Sequence, residues 1–388
     1  MVGVMELGLG TGPLRGVKVV ELAGIGPSPH ACMTLADLGA DVIRIDRPGG
    51  PALNFGAPEK DFLNRGRPNV ALNLKDPAAV ETVLQLIESA DILIEGLRPG
   101  VTERLGLGPD DCLARNPKLV YGRMTGWGQD GPWAQAAGHD MNYIAITGAL
   151  FGLGQDPARP HFPSNLLGDF GGGSSYLVIG VLAALLESRL SGKGQVVDAA
   201  IVDGTAHLNA MGSSMLAAGV QREVRAQGTL DGGMPFYDIF ETADARHLSV
   251  GCLEPQFFNE FVRLLGLADT APGQFEFGRY DEMRELFAAT IKGQPLAHWE
   301  TVFAGTDACA APILTQSEAV EHDHIKARGI FVERNGSVEP APAPRFSGTP
   351  STLSTPAVAA GASTREALAA WGVEDVDALI ESGAAVQA

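Results

Sequence analysis

The sequence predicts an α/β chain whose main body is a mostly parallel, doubly wound sheet, followed by a smaller α+β domain. Two observations predict the main body: short aliphatic runs alternate with helical stretches from residue 17 onward, and the first of them form a β-α-β unit. A third predicts the smaller domain. Near residue 200 the composition changes, and two alternating segments follow that are joined by a short polar turn. At 388 residues, 45% of them hydrophobic, the chain exceeds one ordinary core and can fill two.

Val17-Lys18-Val19-Val20-Glu21-Leu22 reads as a buried strand, His30 to Leu38 as a helix and Ala40 to Asp46 as a second strand, with the Gly24 to Pro29 loop between the first two. Val80, Val83, Leu84 and Ile87 recur at i, i+3, i+4 and i+7, one face of a helix, before the strand Ile92 to Glu95. Further strands are expected at Leu119 to Met124 and Gln195 to Ala200, with a helix from Ser174 to Leu190 between them. A helical Ala/Met/Ser stretch follows from Thr205 to Ala218. Phe236 to Glu241 and His247 to Gly251 then read as antiparallel strands. Phe257, Phe261, Leu264 and Leu265 give a helix face after Glu254-Pro255, where proline suits the first turn. The Pro-rich run Glu339 to Pro344 and the segment 347–356 resemble a surface strap, and a helical segment at about 364–383 closes the chain.

The net charge of −18 argues against nucleic acid or an anionic membrane as partner, since the summed field repels both. The acidity is uneven. Residues 1–104 carry ten Lys/Arg against thirteen Asp/Glu, which leaves −15 for the remainder and lets an anionic small ligand be tolerated in the N-terminal part. The four cysteines, Cys32, Cys112, Cys252 and Cys309, are far apart and form no C-x-x-C pair, which fits reduced thiols in a cytosolic protein. Residues 1–12 lack the pattern of a signal peptide, and the most apolar run, Tyr176 to Leu186, is too short to span a bilayer. The expectation is a soluble, cytoplasmic protein with no metal or redox cofactor.

Gly24-Ile25-Gly26 after a strand, with Asp46 some twenty residues on, invites a dinucleotide-binding assignment. It fails because the third glycine is missing and because Pro27 and Pro29 have no N–H for a pyrophosphate. The chemistry is better placed at Gly138-His139-Asp140-Met141-Asn142-Tyr143 and at Asn165 to Gly173. His139 follows a Gly/Pro/Trp-rich loop and precedes an apolar run, so a helix start is expected there. Asp169 is followed by Gly171, Gly172 and Gly173 and then by the helical run, which places its carboxylate beside uncovered backbone N–H groups. An imidazole and a carboxylate are well suited to moving protons near neutral pH. A lone Asp before a helix is also an ordinary N-cap, worth about 1 kcal/mol. Three glycines are a costly way to begin a helix, at about 1 kcal/mol each relative to alanine, and close approach of a ligand to bare backbone would account for them.

Gly16 to Leu22, Leu35-Ala36-Asp37-Leu38-Gly39-Ala40-Asp41-Val42-Ile43-Arg44-Ile45-Asp46, the loop Thr125-Gly126-Trp127-Gly128 to Gly131-Pro132, Gly138-His139-Asp140, Gly168-Asp169 and Gly192 to Asp198 together resemble the class III coenzyme A transferase family. The resemblance runs over roughly 13–350, and within the family it is to members that racemise 2-methylacyl-CoA thioesters. It implies a large Rossmann-like domain built from both ends of the chain, a small inserted α+β domain, and two chains interlocked as a homodimer. The divisions expected are 1–199 for the first part of the CoA-binding domain, 200–231 for a linker helix, 232–318 for the small domain and 319–388 for the return. It further implies proton removal next to the thioester carbonyl by one of His139 and Asp169, and return by the other, with the N–H groups after Asp169 receiving the enolate charge.

Asn165, one helical turn upstream, would orient Asp169, unless it only satisfies a turn. By the same resemblance Glu254 would reach His139 from the partner chain, or else is ordinary charge at a helix N-terminus. Tyr237 would line the pocket or be core. Coenzyme A, as part of the substrate, would lie against Arg47, Leu72-Asn73-Leu74-Lys75, Arg98 and the segment Gly138, Asp140, Met141, Asn142 and Tyr143. Lys75 and Arg98 also read as solvated charge. The chief rival is CoA transfer between carboxylic acids, with an aspartate at the position of Asp169 attacking the thioester. Members that do this usually lack a histidine at the position of His139 and have a longer glycine run than Asp231-Gly232-Gly233-Met234. A non-catalytic acyl-CoA binding module would need neither acid nor base.

Overall fold

Aliphatic runs become strands and the apolar stripes between them become covering helices, in the order β1 (Lys18–Leu22), α1 (Pro27–Asp37), β2 (Asp41–Asp46), β3 (Asn69–Leu72), α2 (Pro77–Ser89), β4 (Ile92–Glu95), α3 (Val101–Arg104), α4 (Pro109–Arg115), β5 (Val120–Thr125), α5 (Asp140–Ile146), a π-helical segment Leu166–Ser174, α6 (Ser175–Ser191), β6 (Gln195–Ala200) and α7 (Ile201–Leu208). The computed structural model describes residues 5–50 and 56–388. The chain separates into two units, the first comprising Met1–Thr147, Pro163–Leu208 and Gly329–Ala388, the second Gly148–Phe162 and Asn209–Arg328.

In the first unit the strands lie in the order β3-β2-β1-β4-β5-β6, all parallel, with Ala385–Val386 added antiparallel beyond β3. This is a doubly wound order that reverses between β1 and β4, so the loops leaving those two strands diverge and open a crevice at their carboxyl ends. One face of the sheet is sealed by α2 through Val83, Leu86 and Ile87, together with Leu368 and Trp371 from the C-terminal return. The other face is sealed by α1 through Cys32 and Leu35 and by α6 through Leu177 and Val181.

The second unit contains α8 (Ala210–Ala217), the antiparallel pair β7 (Tyr237–Glu241) and β8 (His247–Gly251), α9 (Pro255–Leu264), α10 (Tyr280–Lys292), α11 (Leu296–Phe303) and β9 (Ala310–Pro312). Its core is aromatic, with Phe261 meeting Phe287 edge to face at 5.3 Å and Trp299 stacked on Phe303 at 5.7 Å. It takes in residues 148–162, which the sequence reading kept with 1–199, and begins at Asn209 where a linker helix over 200–231 was expected. The reason is polar: Arg225 donates from Nε to the Phe151 carbonyl at 2.8 Å and from Nη1 to the Asp156 and Pro157 carbonyls, and its guanidinium lies over the Phe151 ring.

Four local expectations need correction. The helix expected from Ser174 starts eight residues earlier, because Leu166–Ser174 winds as π-helix straight into α6. The resulting helix Leu166–Ser191 is 26 residues long and by length and composition would cross a bilayer, although Tyr176 to Leu186 alone would not; 39% of its most apolar window is buried. The stretch Thr205 to Ala218 is two helices that meet at Asn209, and 364–383 is likewise two, Thr364–Ala370 and Val376–Glu381, parted by Gly372 at φ +88°. The supposed strap begins as a hairpin, Phe331–Arg334 with Ser337–Pro340, held by buried Glu339 between Arg65 and Arg334.

The glycines after Asp169 are explained by packing and not by a ligand. A Cβ on Gly172 would stand 2.5 Å from Thr205 Oγ1, and one on Gly204 would stand 1.8 Å from the Gly172 carbonyl oxygen. The π-helical segment and α7 therefore touch backbone to backbone. Gly204→Ala is expected to destabilise the protein by about 1–3 kcal/mol, because the clash is with main chain that cannot rotate away. A thermal melt within 1 °C of wild type would contradict this contact.

Candidate active site

The crevice at the carboxyl end of the sheet is walled by loops leaving β1, β4 and β5, and it holds a cavity of about 420 Å³. Ile25 and Gly26 come from the first loop with Pro27 and Ser28 at the start of α1, Gly96 to Pro99 from the second loop and Gly126 and Trp127 from the third; Gly138, His139, Tyr143 and Asp169 line it as well. His139 and Asp169, thirty residues apart in the chain, thus face one space.

His139 is the N-cap of α5, in extended conformation, with its backbone N–H donating to Asn142 Oδ1 at 3.1 Å. This bond fixes the turn through main chain, and the exposed imidazole projects from it. Tyr143, one turn on, packs edge to face on Trp127 at 4.6 Å and donates from its hydroxyl to the Gly138 carbonyl. Burial raises the Tyr143 phenol; the negative charge of Asp169 adds to the rise and Arg98 opposes it.

Asp169 lies inside the π-helical segment, not ahead of a helix. Its Oδ2 accepts from Asn165 Nδ2 at 3.2 Å, and its own N–H donates to Asp140 Oδ2 at 2.7 Å. Partial burial raises the Asp169 carboxyl above the usual carboxylate range; the Asn165 bond and, more weakly, His139 oppose this, while the charge of Asp140 adds to it. The N–H groups following Asp169 belong to a continuous helix, so the expectation that they stand uncovered for an enolate is not met. On the far side of the segment the His30 ring stacks on Phe170 at 4.5 Å, and its Nδ1 is 2.5 Å from Ser174 Oγ, which pins Asp169's turn to α1.

A second cavity of about 600 Å³ lies along the ends of β1, β2, β3 and β4, sharing Ile25, Gly96 and Leu97 with the first. Arg47, Leu72, Asn73, Leu74 and Lys75 line it. Arg47 is exposed and donates from Nε to the Gly50 carbonyl at 2.8 Å. Arg98 lines the first cavity, beside the partition.

Three residues expected against coenzyme A line neither cavity. Asp140 is 6% exposed and turned under Asp169, Asn142 folds back on His139, and Met141 is exposed at 45% on α5. A helix start directs its successive side chains to different sides, so a contiguous stretch cannot all face one groove. Tyr237 and Glu254 belong to the second unit: Tyr237 lines a hollow of about 390 Å³ with Ser249 and Cys309, and Glu254 is the exposed N-cap residue of α9.

The sequence reading missed the Gly26-Pro27-Ser28 wall. Gly26, at φ +70°, brings the chain so close to Asp169 that a Cβ there would stand 3.3 Å from Asp169 Oδ2. The signal present in the sequence is the glycine after the first strand, which also fits a phosphate loop.

The model of CoA-transferase family III matches residues 14–364. The chain is 40% identical over 371 residues to the α-methylacyl-CoA racemase of Mus musculus, covering 94% of this chain and 95% of that protein. It is 41% identical over 339 residues to the α-methylacyl-CoA racemase of Homo sapiens, covering 87% of each. Among solved structures, a CAIB/BAIF family protein from Brucella suis superposes with a TM-score of 0.80 at 26% identity, over 93% of this chain and 100% of the other.

Proposed function

The chain belongs to CoA-transferase family III, and from that premise we propose that it interconverts the (R) and (S) forms of 2-methylacyl-CoA thioesters by moving one proton off and onto the α-carbon. The observation that carries this reading is that the His139 imidazole and the Asp169 carboxyl line one cavity at the carboxyl end of the sheet. A planar enolate is reprotonated on either side only when a proton-holding group faces each side, so His139 takes or returns the proton on one face and Asp169 on the other. The elevated Asp169 carboxyl suits this double duty, because a group must hold its proton for part of each cycle. Asn165 orients that carboxyl.

Coenzyme A arrives as part of the substrate, and no metal or redox group is required. Its phosphates and nucleotide occupy the larger cavity beside Arg47 and Lys75, guanidinium being the better match to phosphate. Its pantetheine arm passes Ile25, Gly96 and Leu97, bringing the thioester into the smaller cavity beside Arg98.

We also read the protein as a cytoplasmic homodimer in which Glu254 and Tyr237 serve the partner chain's site. Leu166, Ile179, Leu186 and Leu190, each more than 60% exposed along one helix, support a partner on that face. A sedimentation mass equal to one chain, or recovery of the protein with membranes after lysis, would overturn this part.

The activity is tested with one enantiomer of a 2-methylacyl-CoA in D₂O. Deuterium uptake at the α-carbon with loss of chirality, and no added acid, is the result expected. Turnover only with an acceptor carboxylic acid, together with a hydroxylamine-trapped ester at Asp169, would instead establish transfer of coenzyme A.

A further inference from the structure

Asp140 is the one residue of its segment that is buried under the site without touching either cavity. It stands at the first position of α5, directly after His139, yet its carboxylate leaves that helix and reaches the π-helical segment. There Oδ2 accepts the Asp169 N–H at 2.7 Å, and the Gly168 N–H also faces the carboxylate. Gly168 has to be glycine for this approach, since a Cβ would lie 2.4 Å from Asp140 Oδ2. The other oxygen, Oδ1, is buried with no hydrogen-bond partner. A carboxylate satisfied on one side only, next to a second carboxyl, is a costly arrangement for mere capping, which a serine would provide.

We propose that Asp140 is a positioning residue for Asp169: it fixes the turn that carries Asp169 and, as a second negative charge beneath it, makes Asp169 easier to protonate. This deepens the racemase reading of the same site and rests on it. Two acidic groups this close do not ionise independently, and the more exposed one, facing the cavity, is the one that exchanges its proton with substrate. Burial and the mutual charge act in the same sense on Asp169.

The other charged and titratable groups around Asp169 are few among the described residues. From α5 come His139 and Tyr143, and from the loop after β4 comes Arg98. Packed against the segment, α1 offers His30, which is engaged with Ser174, and Cys32 and Asp37, the latter paired with Arg65. On α7, His207 bonds Tyr176 of α6 and Asp203 lies near Asp198 of β6; on β5, Arg123 is taken by Glu95 and Glu103. Asp140 is the only anion of this set that touches Asp169's own backbone.

The experiment compares the acid limb of kcat/KM for α-proton exchange in wild type, Asp140→Asn, Asp140→Glu and Asn165→Ala. Asn keeps an acceptor for the Asp169 N–H and removes only the charge. Its acid limb is expected to move to lower pH, so that, relative to its own plateau, it is about 3–10-fold more active than wild type on that limb. Asn165→Ala is expected to move the limb the opposite way, and Asp140→Glu, which keeps the charge, to leave it in place at a lower rate. A carbon-13 titration of aspartate carboxyls, with Asp169→Asn for assignment, reads the same shift without turnover; Asp140→Ser serves as the neutral variant should Asn not fold. If the limb and the titration of Asp169 are the same in neutral and charged variants, the role assigned to Asp140 is wrong. If wild type fails to exchange the α-proton, the racemase reading falls, while the carbon-13 titration still decides the coupling.

Discussion

Asp169→Asn and His139→Ala are each expected to lower kcat/KM for racemisation about 10²–10⁴-fold, the range for one positioned proton-transfer group. The two losses differ in kind. With the imidazole gone, Asp169 still faces one side of the α-carbon, so deuterium from solvent enters one enantiomer and not the other. With the carboxyl neutralised, the pattern reverses. Neither variant is expected to disturb the fold around the cavity, because His139 is exposed and asparagine retains the shape that Asn165 bonds. The wild-type profile has a sign as well: as pH falls through the proton uptake of Asp169, its base form is lost and kcat/KM drops. Burial places that drop at a higher pH than a solvated aspartate would give. Full exchange from both enantiomers in His139→Ala would end the two-sided assignment.

Glu21→Ala is expected to cost about 3–5 kcal/mol of folding stability, the largest effect anticipated away from the cavities. Glu21 is fully buried in β1 and stands opposite Arg44 of β2 in register. Its Oε1 meets Arg44 Nη1 at 2.5 Å, and Arg67 Nη1 approaches Oε2 at 3.1 Å from off the hydrogen-bond axis. Arg44 is shared with Asp46, which also accepts from Asn69. Removing the central carboxylate leaves the Arg67 guanidinium buried among neutral carbonyls with no counter-charge of its own. The check is urea unfolding of wild type and variant. A loss under 1 kcal/mol would mean that solvent reaches Arg67. Arg44 and Asp46 line the larger cavity, so the variant should also weaken acyl-CoA binding.

The alternation of strand and helix was legible because parallel strands covered on both faces leave an unbroken aliphatic run, as Ile92 to Glu95 illustrates, whereas the antiparallel strand His247 to Gly251 was legible from its alternation of buried and exposed residues; both have bounds that match. The helix start at His139 was legible from the loop chemistry before it. The π-helical winding at Asp169 was not, since Leu-Leu-Gly-Asp-Phe-Gly-Gly-Gly has the composition of a loop, and only the close seat on α7 makes it helical. Family likeness supplied the pairing of His139 with Asp169. Side-chain direction had to come from the fold, which turns Asp140, Met141 and Asn142 away from both cavities.

By itself the sequence determined the course of five of the sheet's seven strands among the described residues and which residue types are available for proton transfer, because each of these depends on neighbours close along the chain; the short strands Asn69–Leu72 and Ala385–Val386 carry no such signal. The tertiary structure alone decided that Glu21 and Asp46 neutralise Arg44 and Arg67, that three glycines serve helix contact, and that an imidazole and a carboxyl thirty residues apart open on one cavity. These depend on distances between segments remote in sequence, and charge, close packing and reach act through space regardless of chain order.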